Sequence, residues 1–163
     1  MAQRATITLL PLAQQAITSE TTSRLPMEAG GILIGHREGD GIVATDAIAV
    51  PGPTSRRNRY VRDDDRANEL LRRYLAARLP GDVIGYVGEW HSHPAPSGPS
   101  SIDIESLRAI VKAAHGPIAL IVYTPSGSSR YAGRIARRRR YAQPSVQDAT
   151  VATRDQHSDD APL

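Results

Sequence analysis

The sequence has 163 residues, of which 40% are hydrophobic, so it can bury one core but is too short for two comfortable domains. The absence of cysteine excludes disulfides and thiolate metal sites, so any metal would be held by histidines and carboxylates. The net charge is +3, with arginine supplying nearly all the basic residues. The N-terminus lacks the pattern of a signal peptide and no apolar run approaches ~20 residues, so we expect a cytoplasmic protein without a membrane partner.

The first half of the chain alternates strand and helix patterns. It predicts in order a strand, a helix, two strands and a second helix, at residues 6–10, 12–23, 32–34, 42–50 and 63–78. Asp63, Asp64 and Asp65 open the second helix, where they favour an N-cap and an acidic first turn over the alternative of a metal cluster.

The second half predicts three further strands and one helix. A buried strand starts at Val83 and continues to His93, a helix covers residues 104–114, and strands cover 118–123 and 131–138. From about residue 143 the chain has few large apolar residues and many small and polar ones. The composition therefore predicts one domain over residues 1–142 and a disordered C-terminal tail over 143–163.

The stretch from Gly88 to Pro94 contains two histidines separated by one residue. On a strand of period two, His91 and His93 lie on one face and can hold one metal ion. Pro94 stops the strand, and a short loop brings the chain to Asp103 at a helix start. Two imidazoles and one carboxylate leave the fourth position of tetrahedral zinc open, as in a catalytic site. The alternative is that Asp103 only caps the helix, in a box with Ser100.

The whole string resembles the JAMM (JAB1/MPN/Mov34) metalloprotease motif. That motif has a glutamate far upstream, then His-x-His-Pro, a short loop and Ser-x-x-Asp. Here Glu28 precedes the segment Gly30-Gly31-Ile32-Leu33-Ile34-Gly35, and the downstream part runs from His91 to Asp103. The resemblance covers roughly residues 5 to 140 and is to the small stand-alone prokaryotic members.

The resemblance implies a fold, a cofactor and a reaction. The fold would be a mixed α/β sheet flanked by helices, of the cytidine-deaminase-like kind. His91, His93 and Asp103 would hold one zinc ion per chain, Glu28 would be the general base, and Ser100 would donate a hydrogen bond to the oxyanion. The substrate would be a ubiquitin-like or sulfur-carrier protein, or its conjugate, cleaved after the C-terminal Gly and bound along a sheet edge.

Such proteins are linked to activating and conjugating enzymes, in some cases in antiviral operons, which are therefore further expected partners. Two alternatives remain at this point: a metal-free MPN scaffold and a DNA-associated protein of the RadC type. The run from Arg137 to Arg140 favours the second, but a solvated strand end or a patch for an acidic protein explains the run as well. We do not expect nucleic acid as a partner.

Overall fold

The computed structural model describes residues 3–52 and 60–155. In these residues seven strands and three helices follow one another along the chain. Their bounds are β1 Thr6–Leu9, α1 Pro11–Arg24, β2 Gly30–Glu38, β3 Gly41–Ala49, α2 Asp64–Ala76, β4 Gly85–Ser92, α3 Ser101–Ala113, β5 Ile118–Tyr123, β6 Tyr131–Arg139 and β7 Ala142–Thr153.

The seven strands form one sheet that closes on itself as a barrel, in the order β1-β3-β2-β4-β5-β6-β7. β1 pairs with β3 and β7 in parallel, and β4 pairs with β5 in parallel, whereas the other neighbours are antiparallel. The predicted mixed α/β fold with flanking helices is confirmed, and its cytidine-deaminase-like character stays a prediction. Closure was not predicted; every described strand has a neighbour on both sides, although residues 46–49 of β3 and 142–149 of β7 are paired on one side only.

The two faces of the sheet bury different helices. On one face, α1 packs through Ala13 and Ile17 in a cluster to which all seven strands contribute. On the other face, α3 packs through Leu107 and Val111 over β5, and α2 packs through Ala67 over β2. The groove between α2 and α3 therefore has the sheet as its floor.

The predicted C-terminal tail is wrong for residues 143–155, because β7 runs from Ala142 to Thr153 between β6 and β1. β7 was missed because only Pro144 and Ala149 along it are buried, so its sequence shows little apolar patterning. Residues 156–163 lie outside the described residues. The predicted buried strand also starts too early, since Val83 is 80% exposed and β4 begins at Gly85.

The arginine run lies at the end of β6 that is remote from the predicted metal ligands. Tyr131 pairs with Tyr123, which also pairs with Ser92 next to the two histidines, whereas Arg137 to Arg139 close the other end of β6. No helix within the described residues is both long and apolar enough to cross a membrane.

Candidate metal centre and active site

His91 in β4 and His93 just after it lie on the face of the sheet that α2 and α3 cover. Trp90 and Ser92 point to the opposite face, where Trp90 is completely buried in the α1 cluster. The His91 and His93 rings lie with their centroids 5.0 Å apart. The alternation predicted from the sequence therefore holds, and both imidazoles face the start of α3.

Asp103 is held in place by the first turn of α3. Ser100 is the N-cap residue, and its Oγ accepts a hydrogen bond from the Asp103 N–H at 3.2 Å. The Ser100 N–H donates in return to Asp103 Oδ2 at 2.7 Å, which completes a capping box. The capping alternative is therefore real, but it does not exclude a ligand role, because the same oxygen also faces both histidines.

The three residues converge on a space that fits a metal ion. Asp103 Oδ2 lies 3.3 Å from His91 Nε2 and 3.6 Å from His93 Nε2, and the candidate ligand atoms all lie within 4.8 Å of one another. His91 is only 8% exposed, and its buried Nε2 has Asp103 Oδ2 as an ionic neighbour but forms no well-aligned hydrogen bond with any described residue. A buried nitrogen without a good hydrogen bond is costly unless something else satisfies it. Two imidazoles and a carboxylate match the donor set that zinc takes in catalytic sites.

The tautomer of His93 is set by its neighbours. His93 Nδ1 lies 2.8 Å from Ser97 Oγ and 3.2 Å from the Ser97 carbonyl oxygen. The carbonyl can only accept, and the Ser97 hydroxyl already donates to the Ala95 carbonyl, so both act as acceptors toward Nδ1. Nδ1 thus carries the proton, which leaves the lone pair of Nε2 for a ligand, as in the supporting hydrogen bonds of metal-bound histidines.

The charge of Asp103 also suits a metal ligand. Burial alone would raise the pKa of Asp103, but contacts with His91 and Ser100 outweigh it and hold the pKa well below its usual range. The carboxylate is therefore ionised at neutral pH, the form that binds a cation.

Glu28 is brought to the same place by the start of β2. The Ala29 N–H donates to Ser92 Oγ at 2.8 Å, and the Ser92 N–H donates to the Ala29 carbonyl at 2.8 Å. These two bonds fix Ala29, the residue after Glu28, against Ser92, which stands between the two histidines in the sequence. The Glu28 side chain lines a cavity of about 580 Å³ together with His93, Ser100 and Asp103.

Sequence reasoning missed a buried polar network next to the histidines. A register shift between β2 and β4 places Tyr86 and Glu89 on the same side of β4, where the Tyr86 hydroxyl donates to the Glu89 carboxylate. Arg62 also donates to Glu89, and its Nε donates to Asp64 at 2.7 Å. Burial raises the pKa of Glu89 to about 7, although Arg62 and Tyr86 oppose the rise. Nothing in the sequence pattern indicates that Arg62 and Glu89 are in contact; only the folded structure shows it.

A second cavity, of about 320 Å³, adjoins the histidines from the side of this network. It is lined by Tyr60, Arg62, Glu89, His91 and Asp103, with apolar walls from α3 and the sheet. It shares the lining residues Arg62 and Ile110 with a cavity of about 620 Å³ between α2 and α3. Asp103 thus borders space on two sides.

Residues 12–141 match the family described as prokaryotic homologues of the JAB domain. The chain belongs to this family, and the predicted JAMM-type resemblance is confirmed at that level.

Two similar proteins are each named CD-NTase/cGAS isopeptidase. The one from Escherichia coli strain TW11681 is 36% identical over 102 residues, and the one from Vibrio cholerae serotype O1 is 34% identical over 105 residues. The matches cover 58% and 60% of this chain, and 61% and 63% of those relatives, so the chain spans about three fifths of their length.

The fold is similar to the solution structure of protein DSY2949 from Desulfitobacterium hafniense. The TM-score is 0.61 at 18% sequence identity, and the alignment covers 92% of this chain and 94% of that one. At this identity the likeness concerns the fold alone.

Proposed function

We propose that the protein is a zinc-dependent isopeptidase or peptidase that hydrolyses the bond after the C-terminal Gly of a ubiquitin-like or sulfur-carrier protein. The observation that carries the proposal is the convergence of His91, His93 and Asp103 around a buried nitrogen without a well-aligned hydrogen bond. Membership of the JAB family supports it, as do the relatives named CD-NTase/cGAS isopeptidase. By analogy with those names, the substrate would be a conjugate that involves a CD-NTase or cGAS-like protein, and the family resemblance adds the expectation of a bacterial antiviral system.

Zinc held by these ligands would supply Lewis acidity and would lower the pKa of a water in the site toward ~7. Glu28 would take a proton from the attacking water and return it to the leaving amine. Its Oε2 accepts a hydrogen bond from the Tyr60 N–H at 2.6 Å. Its Oε1 makes no hydrogen bond within residues 3–52 and 60–155, so this oxygen is available for the proton.

Ser100 would donate a hydrogen bond to the oxyanion that forms from the scissile carbonyl. Its Oγ is used as an acceptor by the Asp103 N–H, which leaves the hydroxyl hydrogen uncommitted in the described structure. Ser100 lines the same cavity as Glu28 and His93, so the donor and the base face one space. One such donor contributes about 3 kcal/mol in comparable sites.

The substrate tail would be bound in the cavities rather than, as predicted from the sequence, along a sheet edge. Each described strand has a neighbour on both sides, so closure leaves only partial edges, such as residues 46–49 of β3, for strand addition. The cavities beside Asp103 offer the alternative: a narrow, Gly-ended tail would lie in them and present its last carbonyl to the three ligands.

The test is hydrolysis of a fusion in which a reporter follows the C-terminal Gly of a ubiquitin-like protein. Wild type should release the reporter, and chelation of the metal should stop release. Glu28→Gln should keep its zinc and lose about 10²–10⁴ in kcat, the range for general acid–base catalysis. Glu38→Gln, at the other end of β2, is the matched control and should be fully active. Full activity of Glu28→Gln would refute the assigned base.

A further inference from the structure

Residues 60–64, which we call the strap, connect the site to the start of α2. The strap lies beside His91: the Tyr60 and His91 rings are stacked with an interplanar angle of 19° and centroids 6.5 Å apart. We propose that Arg62, anchored on Glu89, is a positioning residue that holds the strap so that the Tyr60 N–H orients the Glu28 carboxylate. The inference rests on the proposed function, because it assigns Glu28 as the base.

The anchor is the ion pair between the long, flexible side chain of Arg62 and Glu89 on strand β4. Glu89 stands in the middle of β4, paired with Ile32 of β2 and Leu120 of β5, and its side chain is only 10% exposed. The Arg62 guanidinium bonds this carboxylate and, through Nε, Asp64 at the first turn of α2. Removing the cation would leave a buried carboxylate without its charge partner, which is strongly unfavourable. Arg62 is therefore held firmly against the sheet.

The effect of the anchor reaches Glu28 through a short piece of chain. Tyr60 is two residues from Arg62, so at most about 7 Å of backbone separates the anchor from the Tyr60 N–H. That N–H donates to Glu28 Oε2 at 2.6 Å, and the Tyr60 hydroxyl donates to the Val50 carbonyl at 3.0 Å. No other hydrogen bond reaches the Glu28 carboxylate from the described residues. Its orientation thus depends on the strap.

Glu89 itself is aimed at Arg62 and Tyr86 and makes no hydrogen bond to His91 in the described structure. This geometry favours an anchoring role over direct participation. The strap is also closely packed against β2, as expected if its position matters. A Cβ added at Gly30 would collide with the Tyr60 ring, so the glycine at the start of β2 makes room for the strap.

The kinetic test compares Arg62→Ala and Arg62→Lys in the full chain, on the wild-type and Glu28→Gln backgrounds. Arg62→Ala should lower kcat about 10- to 100-fold, the effect of a misplaced catalytic group. Arg62→Lys should restore part of the loss. On the Glu28→Gln background, Arg62→Ala should change the residual rate less than about two-fold, because the group to be positioned is already gone. Equal losses on both backgrounds would overturn the inference.

The second test does not use activity. Amide hydrogen exchange at Tyr60, followed by NMR, should be slow in wild type and in Arg66→Ala, whose exposed pair with Glu69 is the matched control. It should become much faster in Arg62→Ala, while α3 amides and zinc content stay unchanged. Unchanged exchange at Tyr60 in Arg62→Ala would overturn the positioning role of Arg62 even if the enzyme is active. If wild type cleaves no fusion, the proposed function fails, and the exchange result alone then decides whether Arg62 holds the strap.

Discussion

Ser100 has two roles in this account, and two substitutions separate them. As N-cap of α3 it accepts a hydrogen bond from the Asp103 N–H, and as a catalytic residue it would donate to the oxyanion. Ser100→Ala and Ser100→Gly both remove the hydroxyl. In both variants the residue 100 N–H can still donate to Asp103 Oδ2, so the metal ligand keeps its main restraint.

The two variants should differ in stability but not in activity. Alanine at an N-cap costs about 1 kcal/mol, whereas glycine costs only a few tenths, because glycine exposes the unpaired N–H groups to water. Loss of one oxyanion donor costs about 10²–10³ in kcat, or about 3–4 kcal/mol, whichever residue replaces serine. Ser100→Ala should therefore unfold at lower denaturant than Ser100→Gly, with equal losses of kcat.

The assays are urea unfolding followed by tryptophan fluorescence, since Trp90 is the single tryptophan, and initial rates on the reporter fusion. Ser100→Thr, which keeps the hydroxyl, is the control and should retain most activity. The reasoning is refuted if Ser100→Gly is nearly as active as wild type while Ser100→Ala is not, because activity would then follow the helix cap rather than the donor.

Two further variants, one of them with a matched control, test the fold and the arginine run. Leu107→Ala, in the cluster under α3, should destabilise the protein by about 2–5 kcal/mol in urea unfolding, whereas Leu12→Ala, at a 59% exposed position, should stay within about 0.5 kcal/mol. Replacing Arg138, Arg139 and Arg140 by alanine should leave hydrolysis of the fusion unchanged, because the run lies at the remote end of β6. Salt-sensitive DNA binding by wild type that this variant loses would favour the RadC-type alternative instead.

Local chemistry was enough to predict most elements. The strand Ile118–Tyr123 has the predicted bounds because it is apolar at every position and ends at turn residues. The predicted cap of α2 is confirmed, since Asp63 accepts a hydrogen bond from the Arg66 N–H at 3.0 Å. β7 could not be predicted in this way, because its place in the sheet comes from pairing with β1, whose residues lie more than a hundred positions earlier.

The site was predictable where its residues share one motif. His91, His93 and Asp103 lie within thirteen residues, so strand period and helix start bring them together. Glu28 is joined to them through bonds that span 63 positions between Ala29 and Ser92, and only the resemblance to a known motif pointed to it. The link from Arg62 to Glu89 joins side chains 27 positions apart, and the register shift that brings Tyr86 to the same carboxylate leaves no mark in the sequence pattern.

The most direct test of the central claim is the zinc content of the purified protein, measured by elemental analysis without chelator. We expect about one zinc per chain in wild type and in His36→Ala, a β2 histidine outside the site, and a loss of zinc in His91→Ala. Wild type that binds no zinc even after its addition would contradict the account and favour a metal-free scaffold. Zinc retained by His91→Ala would contradict the ligand assignment.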